Sequence, residues 1–156
     1  MTKEQIQRYT LRITQANRSQ IIVILYDMIL DDVTEASECY DDYDSFKKAC
    51  NHITRCTADL MEALDFSYEV SFHLMQIYQF INRQVSTAVL KKEPAVLKYV
   101  ASAVTKLKEA FEEVSKQDSS GPMMENTQTV YAGLTYSKSD LTEDLRDQGS
   151  SRGFRV

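Results

Sequence analysis

From position 21 to position 114 the apolar residues return every third or fourth position, in four runs separated by polar stretches. That spacing predicts amphipathic helices rather than strands. Asn17 can cap the first of them, with Ser19 as a competing cap, and Ile21, Ile22, Leu25, Met28, Ile29, Val33 and Ala36 form its apolar set. Polar residues from Asp41 to Ser45 read as a solvated connection. The second helix carries Phe46, Ala49, Cys50, Ile53, Cys56, Leu60, Ala63 and Leu64. After a break near Asp65–Glu69, the third carries Val70, Leu74, Ile77, Tyr78, Ile81, Val85, Ala88 and Val89. Lys91, Lys92 and Pro94 mark its end, since cations suit a helix C-terminus and proline suits a helix's first turn. The fourth places Val96, Leu97, Val100, Ala103, Val104, Leu107, Ala110, Phe111 and Val114 on one face, and Gly121-Pro122 lies beyond its end.

Helices of about 20 residues are about 30 Å long, and short connections make chain neighbours antiparallel. The predicted fold is therefore all-α: an antiparallel up-down four-helix bundle over 17–117. An N-terminal arm covers 1–16 and a mostly irregular C-terminal tail covers 118–156. The tail is rich in Ser, Gly, Gln, Asp and Thr, interrupted by a semi-apolar island from Val130 to Tyr136.

Charge narrows the partners. The net charge is -5, which counts against nucleic acid, whose binders present a basic face. The apolar run Ile21–Tyr26 is far shorter than the roughly 20 residues that span a bilayer, so no membrane insertion is expected. Met1–Tyr9 lacks the apolar core of a signal peptide. Three cysteines without paired spacing read as reduced thiols in a cytoplasmic protein.

Candidate chemistry is sparse. The chain has no Gly-rich phosphate loop, H-E-x-x-H, C-x-x-C, G-x-S-x-G or calcium-loop pattern. His52 and Cys56 stand four apart on one helix, but zinc wants three or four converging ligands, and Cys50 lies well round the helix. A solvated helix face explains most of the carboxylates Asp27, Asp31, Asp32, Glu35 and Glu38. The expectation is no enzyme, no cofactor and no metal site.

What stands out is surplus apolar surface. On the first bundle helix Ile21, Leu25, Ile29, Val33 and Ala36 make the expected core stripe, and Val23, Tyr26 and Leu30 fall to one side. Together they cover about 220°, beyond the roughly 100–140° that a surface helix buries. The arm residues Ile6, Tyr9, Leu11 and Ile13 are one candidate cover; the tail, a second subunit or a client are others. Phe72, Phe80 and Tyr99 lie off the seams of the later helices.

Several short segments then resemble the flagellin-specific export chaperones of bacterial flagellar assembly. Thr14-Gln15-Ala16-Asn17 followed by Ile21-Ile22-Val23-Ile24-Leu25-Tyr26-Asp27 is similar to the family's T-A-x-P segment running into an apolar stretch that ends L-Y-D. Tyr78-Gln79-Phe80-Ile81 resembles its Y-D-Y-M segment, Ala110-Phe111 its Ala-Trp, and Leu64-Asp65 its Leu-Asp closing the second helix. Arg18, Gln79 and Phe111 depart from the pattern. The resemblance spans about residues 6–117.

It implies a cytoplasmic, non-enzymatic chaperone that binds the disordered C-terminal segment of flagellin, prevents premature polymerisation and assists secretion. The export apparatus or a co-chaperone would be further partners. Val23, Tyr26 and Leu30 are the expected partner contacts. Ile6, Tyr9 and Ile13 are expected in a displaceable arm, Tyr9 matching an arm tyrosine of the family. Val130, Tyr131, Leu134 and Tyr136 would mimic the client inside the chain, or else belong to a solubilising tail. The alternative function is a structural bundle whose second stripe makes a homodimer or binds an adaptor.

Overall fold

The structure, a computed structural model, describes residues 2–124. Those residues form helices α1 (Lys3–Gln15), α2 (Arg18–Glu38), α3 (Tyr43–Glu62), α4 (Glu69–Lys91) and α5 (Leu97–Gln117), with a 3-10 turn at Pro94–Val96. Among the described residues there is no strand, and no helix is long and apolar enough to cross a membrane.

Local chemistry explains the boundaries. Asn17 caps α2 by accepting from the Gln20 amide, while the Gln20 side chain accepts from the Asn17 amide. This reciprocal pair satisfies two donors that a helix start leaves free. Asp42 caps α3 in a simpler way, accepting from the Asp44 amide. α4 ends at Lys92, whose backbone is left-handed at φ 53° and whose amide donates to carbonyls one turn back. Pro94 then opens the turn into α5.

α2 packs on α3 and α5, and α4 packs on the same two helices, so α2 and α4 face each other across the bundle. The core runs through all four. It contains Tyr26, Ile29, Val33 and Ala36 of α2; Phe46, Cys50, Ile53 and Leu60 of α3; Tyr78, Ile81 and Val85 of α4; and Leu97, Val100 and Val104 of α5.

The α2 seam lies about 40° further round the helix than the expected stripe. Ile29, Val33 and Ala36 are in the core as expected, but Tyr26 is there too, fully buried, while Ile21 and Leu25 are only half-buried. The reason is polar as much as apolar. The Tyr26 and Tyr78 hydroxyls share a hydrogen bond of 2.6 Å inside the core, and the Phe111 ring meets Tyr26 edge-on at 5.6 Å. A buried hydroxyl with a partner costs little, so tyrosine can occupy the centre. Burial, and then the neighbouring Tyr78, push the Tyr26 hydroxyl well above the usual tyrosine range.

Tyr78→Phe strands the Tyr26 hydroxyl and is expected to cost about 1–2 kcal/mol in urea unfolding. The double variant with Tyr26→Phe should lose less than the sum of the two singles. Additive losses would show that each hydroxyl has another partner.

Candidate functional site

The N-terminal arm is itself a helix. Thr2 and Gln5 form a reciprocal cap at its start, and Ile6, Tyr9 and Ile13, three and four apart, share one face. Tyr9 and Ala16 bury with Ile24 of α2, and Ile13, Ile21 and Met28 pack around them. A second apolar stripe on α2 therefore exists, but it is Ile21, Ile24 and Met28, and α1 covers it.

Two α2 carboxylates latch the arm. Asp31 accepts from Arg8 at 2.8 Å and from the Tyr9 hydroxyl at 2.7 Å. Asp27 accepts from Arg12 at 2.6 Å and, through its other oxygen, pairs with Lys108 of α5 at 2.7 Å. These two belong to the set of carboxylates of which most are expected on a solvated face; both instead hold α1. Exposed or half-exposed pairs of this kind are each worth only about 0.2–1 kcal/mol. The Tyr9 hydroxyl is pushed above its usual range by burial and then by Asp31, so it stays a donor to that carboxylate.

α1 packs mainly against α2. At the turn, Ala16 and Asn17 are buried, and the chain leaving α5 returns to them. Asn17 Nδ2 donates to the Asp118 and Ser120 carbonyls, and the Met123 amide donates to the Ala16 carbonyl. Ser19 donates to Asp118 at 2.5 Å. Hydroxyls of Ser120 and then Ser19 hold the Asp118 carboxyl down at about 2. The pivot is thus tied down while the helix beyond it rests on few contacts.

Between α1 and α3 lies a groove of about 600 Å³. Ile6, Tyr9 and Ile13 form one wall, Met28 and Asp32 the floor, and Lys47, His52 and Arg55 the other wall. This arrangement can take an apolar helix or extended segment with acidic groups facing α3.

The expected site residues therefore separate. Ile6, Tyr9 and Ile13 come together on the groove. Val23 lies on the far side of α1, in a cleft of about 350 Å³ with Arg12, Gln20 and Ser115. Leu30 packs half-buried against the bundle core. Tyr26 is inside the core, which corrects its expected place on an open stripe: its hydroxyl finds Tyr78 there. Phe80 and Tyr99 line a second apolar groove of about 550 Å³ between α4 and α5, and the Phe72 ring meets Phe66 at a tilt near the start of α4, 5.2 Å between ring centres. Val130, Tyr131, Leu134 and Tyr136 lie outside the described residues.

Sequence reasoning also missed Asp32. It is 1% exposed, and its Oδ2 meets His52 Nδ1 at 2.5 Å. Burial pushes the Asp32 carboxyl up against the pull of His52. The His52 imidazole, held by Asp32 and then Cys56, is pushed up to about 10, so the pair keeps its proton through neutral pH. An acidic residue three before Glu35 on a helix gave no hint of this; only the facing histidine on α3 does.

Segments far apart in sequence meet where α1, α2, α4 and α5 converge: Tyr26 on Tyr78 and Phe111, and Asp27 on Arg12 and Lys108. A family model described as flagellar protein FliS matches residues 1–118. No curated protein matches the chain.

Proposed function

We propose, for a chain that belongs to the FliS family of flagellar export chaperones, a finer role: it sequesters the C-terminal segment of flagellin in the cytoplasm and holds it unpolymerised for secretion. The observation that supports this reading is α1, a short helix latched by Asp27 and Asp31 over the apolar stripe Ile21, Ile24 and Met28. A disordered client segment that folds on binding takes the place of α1, or the groove beside it, and covers the same stripe. The chemistry is binding rather than catalysis. Capping the client's apolar face blocks the surface through which flagellin subunits associate.

In this reading Ile6, Tyr9 and Ile13 act as the displaceable cover. Tyr26 and Leu30 shape α2 from behind, and Val23 flanks the pivot.

Calorimetric titration with the C-terminal segment of flagellin from the same organism tests the role. One-to-one binding with a negative heat-capacity change is expected, because apolar surface is buried. Absence of binding overturns it. Arg8→Ala with Asp31→Ala unlatches α1, weakening its hold by about 1 kcal/mol and tightening the apparent affinity about fivefold. Binding that persists with unchanged affinity would keep the chaperone role and remove α1 as a competitor.

A further inference from the structure

Asp32, His52 and Cys56 form a cluster that neither the latch nor the groove's apolar walls require. One donor atom from each lies within 4.8 Å of the other two. His52 and Cys56 are one turn apart on α3, with Nε2 facing Sγ at 4.0 Å, and Asp32 reaches them from α2. Asp32 and Cys56 are buried, while His52 opens onto the groove. A second observation points to a missing ligand: Asp32 Oδ1 is buried and has no hydrogen-bond partner. Burying a carboxylate oxygen with nothing to accept from is costly, and such an oxygen marks the place of an unseen donor or cation.

We propose that Asp32, His52 and Cys56 bind one zinc ion, with a fourth coordination position open toward the groove between α1 and α3. The donor set argues for this metal. A thiolate, an imidazole and a carboxylate suit borderline-soft zinc, whereas magnesium and calcium take oxygen alone. Bonds of about 2.0–2.3 Å put tetrahedral donors about 3.2–3.7 Å apart. Cys56 Sγ and His52 Nε2 are close to that at 4.0 Å. Asp32 and His52 Nδ1 at 2.5 Å are closer than two ligands of one ion stand, so binding requires Asp32 to leave Nδ1 and turn toward an ion on the Nε2 side. Ligation takes a deprotonated thiol and a neutral imidazole, so binding releases protons to solvent. The other soft side chains stand apart: Cys50 is buried with its thiol pushed up to about 11 by burial, and Cys39 closes α2.

The test is a titration of the full chain, reduced and stripped by chelator, with cobalt(II) and then zinc(II). The expected result is one cobalt per chain, with thiolate-to-metal charge-transfer absorption and the intense visible bands of a tetrahedral site. Zinc should displace it, and binding should release protons. Cys56→Ser should abolish the charge-transfer band, and Asp32→Asn should weaken affinity about tenfold or more. Cys39→Ser and Cys50→Ala should keep the band. A wild-type chain without the band overturns the proposal, whatever the variants do. So does a band that survives Cys56→Ser in protein whose circular dichroism remains helical.

Discussion

His52→Ala is expected to destabilise the bundle by about 2–4 kcal/mol when unfolding is followed in urea with chelator present. Asp32 loses its one hydrogen-bonded partner while both of its oxygens stay out of water. Removing one member of a buried pair costs about 3–5 kcal/mol. The lower figure allows for the partial exposure of His52, whose side chain is 30% exposed, and for proton uptake by the stranded carboxyl. That uptake gives the loss a pH signature. In the variant His52 no longer opposes the upward push of burial on Asp32, so its folded value lies above its unfolded one, about 3.9. A carboxyl raised in this way contributes its stability below the unfolded value and loses it as pH rises through the folded one. The deficit against wild type should therefore be smallest near pH 4 and grow up to about pH 6.5; above that, wild type also loses stability, because its His52, raised to about 10, keeps a proton that the unfolded imidazole releases. Asp32→Asn in the same background should recover most of the neutral-pH loss. A deficit under about 1 kcal/mol, or one that ignores pH, would mean that the Asp32 carboxylate reaches water or another donor.

The same pair shows where the sequence stops being informative. Helices α2 to α5 are legible because each buries a face, and burial writes a spacing of three and four into the chain. Asp32 writes nothing local: whether an acidic residue on α2 is solvated or buried depends on a histidine 20 residues later on a facing helix. Asp27 and Asp31 are hidden for the same reason, since their partners lie on α1 and α5. α1 is a different case. Its Thr2-x-x-Gln5 cap is a readable start signal, but three apolar residues on one face amid charged neighbours look like an arm rather than a helix. The surplus on α2 is legible as an amount and illegible as a direction. A wide apolar arc does not divide itself among the bundle interior, α1 and α5, and a tyrosine at its edge reads as a surface residue until its hydroxyl finds a buried partner.

Those geometries set apart the residues that hold a client from those that hold the fold. Ile24→Ala with Met28→Ala is expected to weaken binding of the flagellin segment about 100-fold, or about 2.7 kcal/mol, each truncation removing about 1–1.5 kcal/mol of apolar burial. The same change loosens α1, which rests on these side chains, and a freer α1 offsets part of the loss. The comparison therefore belongs in the Arg8→Ala, Asp31→Ala background, where the latch is already open. Global stability should fall less than affinity, because Ile24 lies outside the bundle interior centred on Tyr26, Ile29 and Val33 and Met28 only packs half-buried against it. Tyr26→Phe should divide the other way, lowering the urea midpoint with affinity held within about twofold, since the hydroxyl it removes faces Tyr78. If Ile24 and Met28 prove silent toward flagellin while Tyr26 alters affinity directly, the client does not use the stripe beneath α1. The apolar groove of Phe80 and Tyr99 between α4 and α5 becomes the surface to mutate next, with α1 then a fixed part of the bundle.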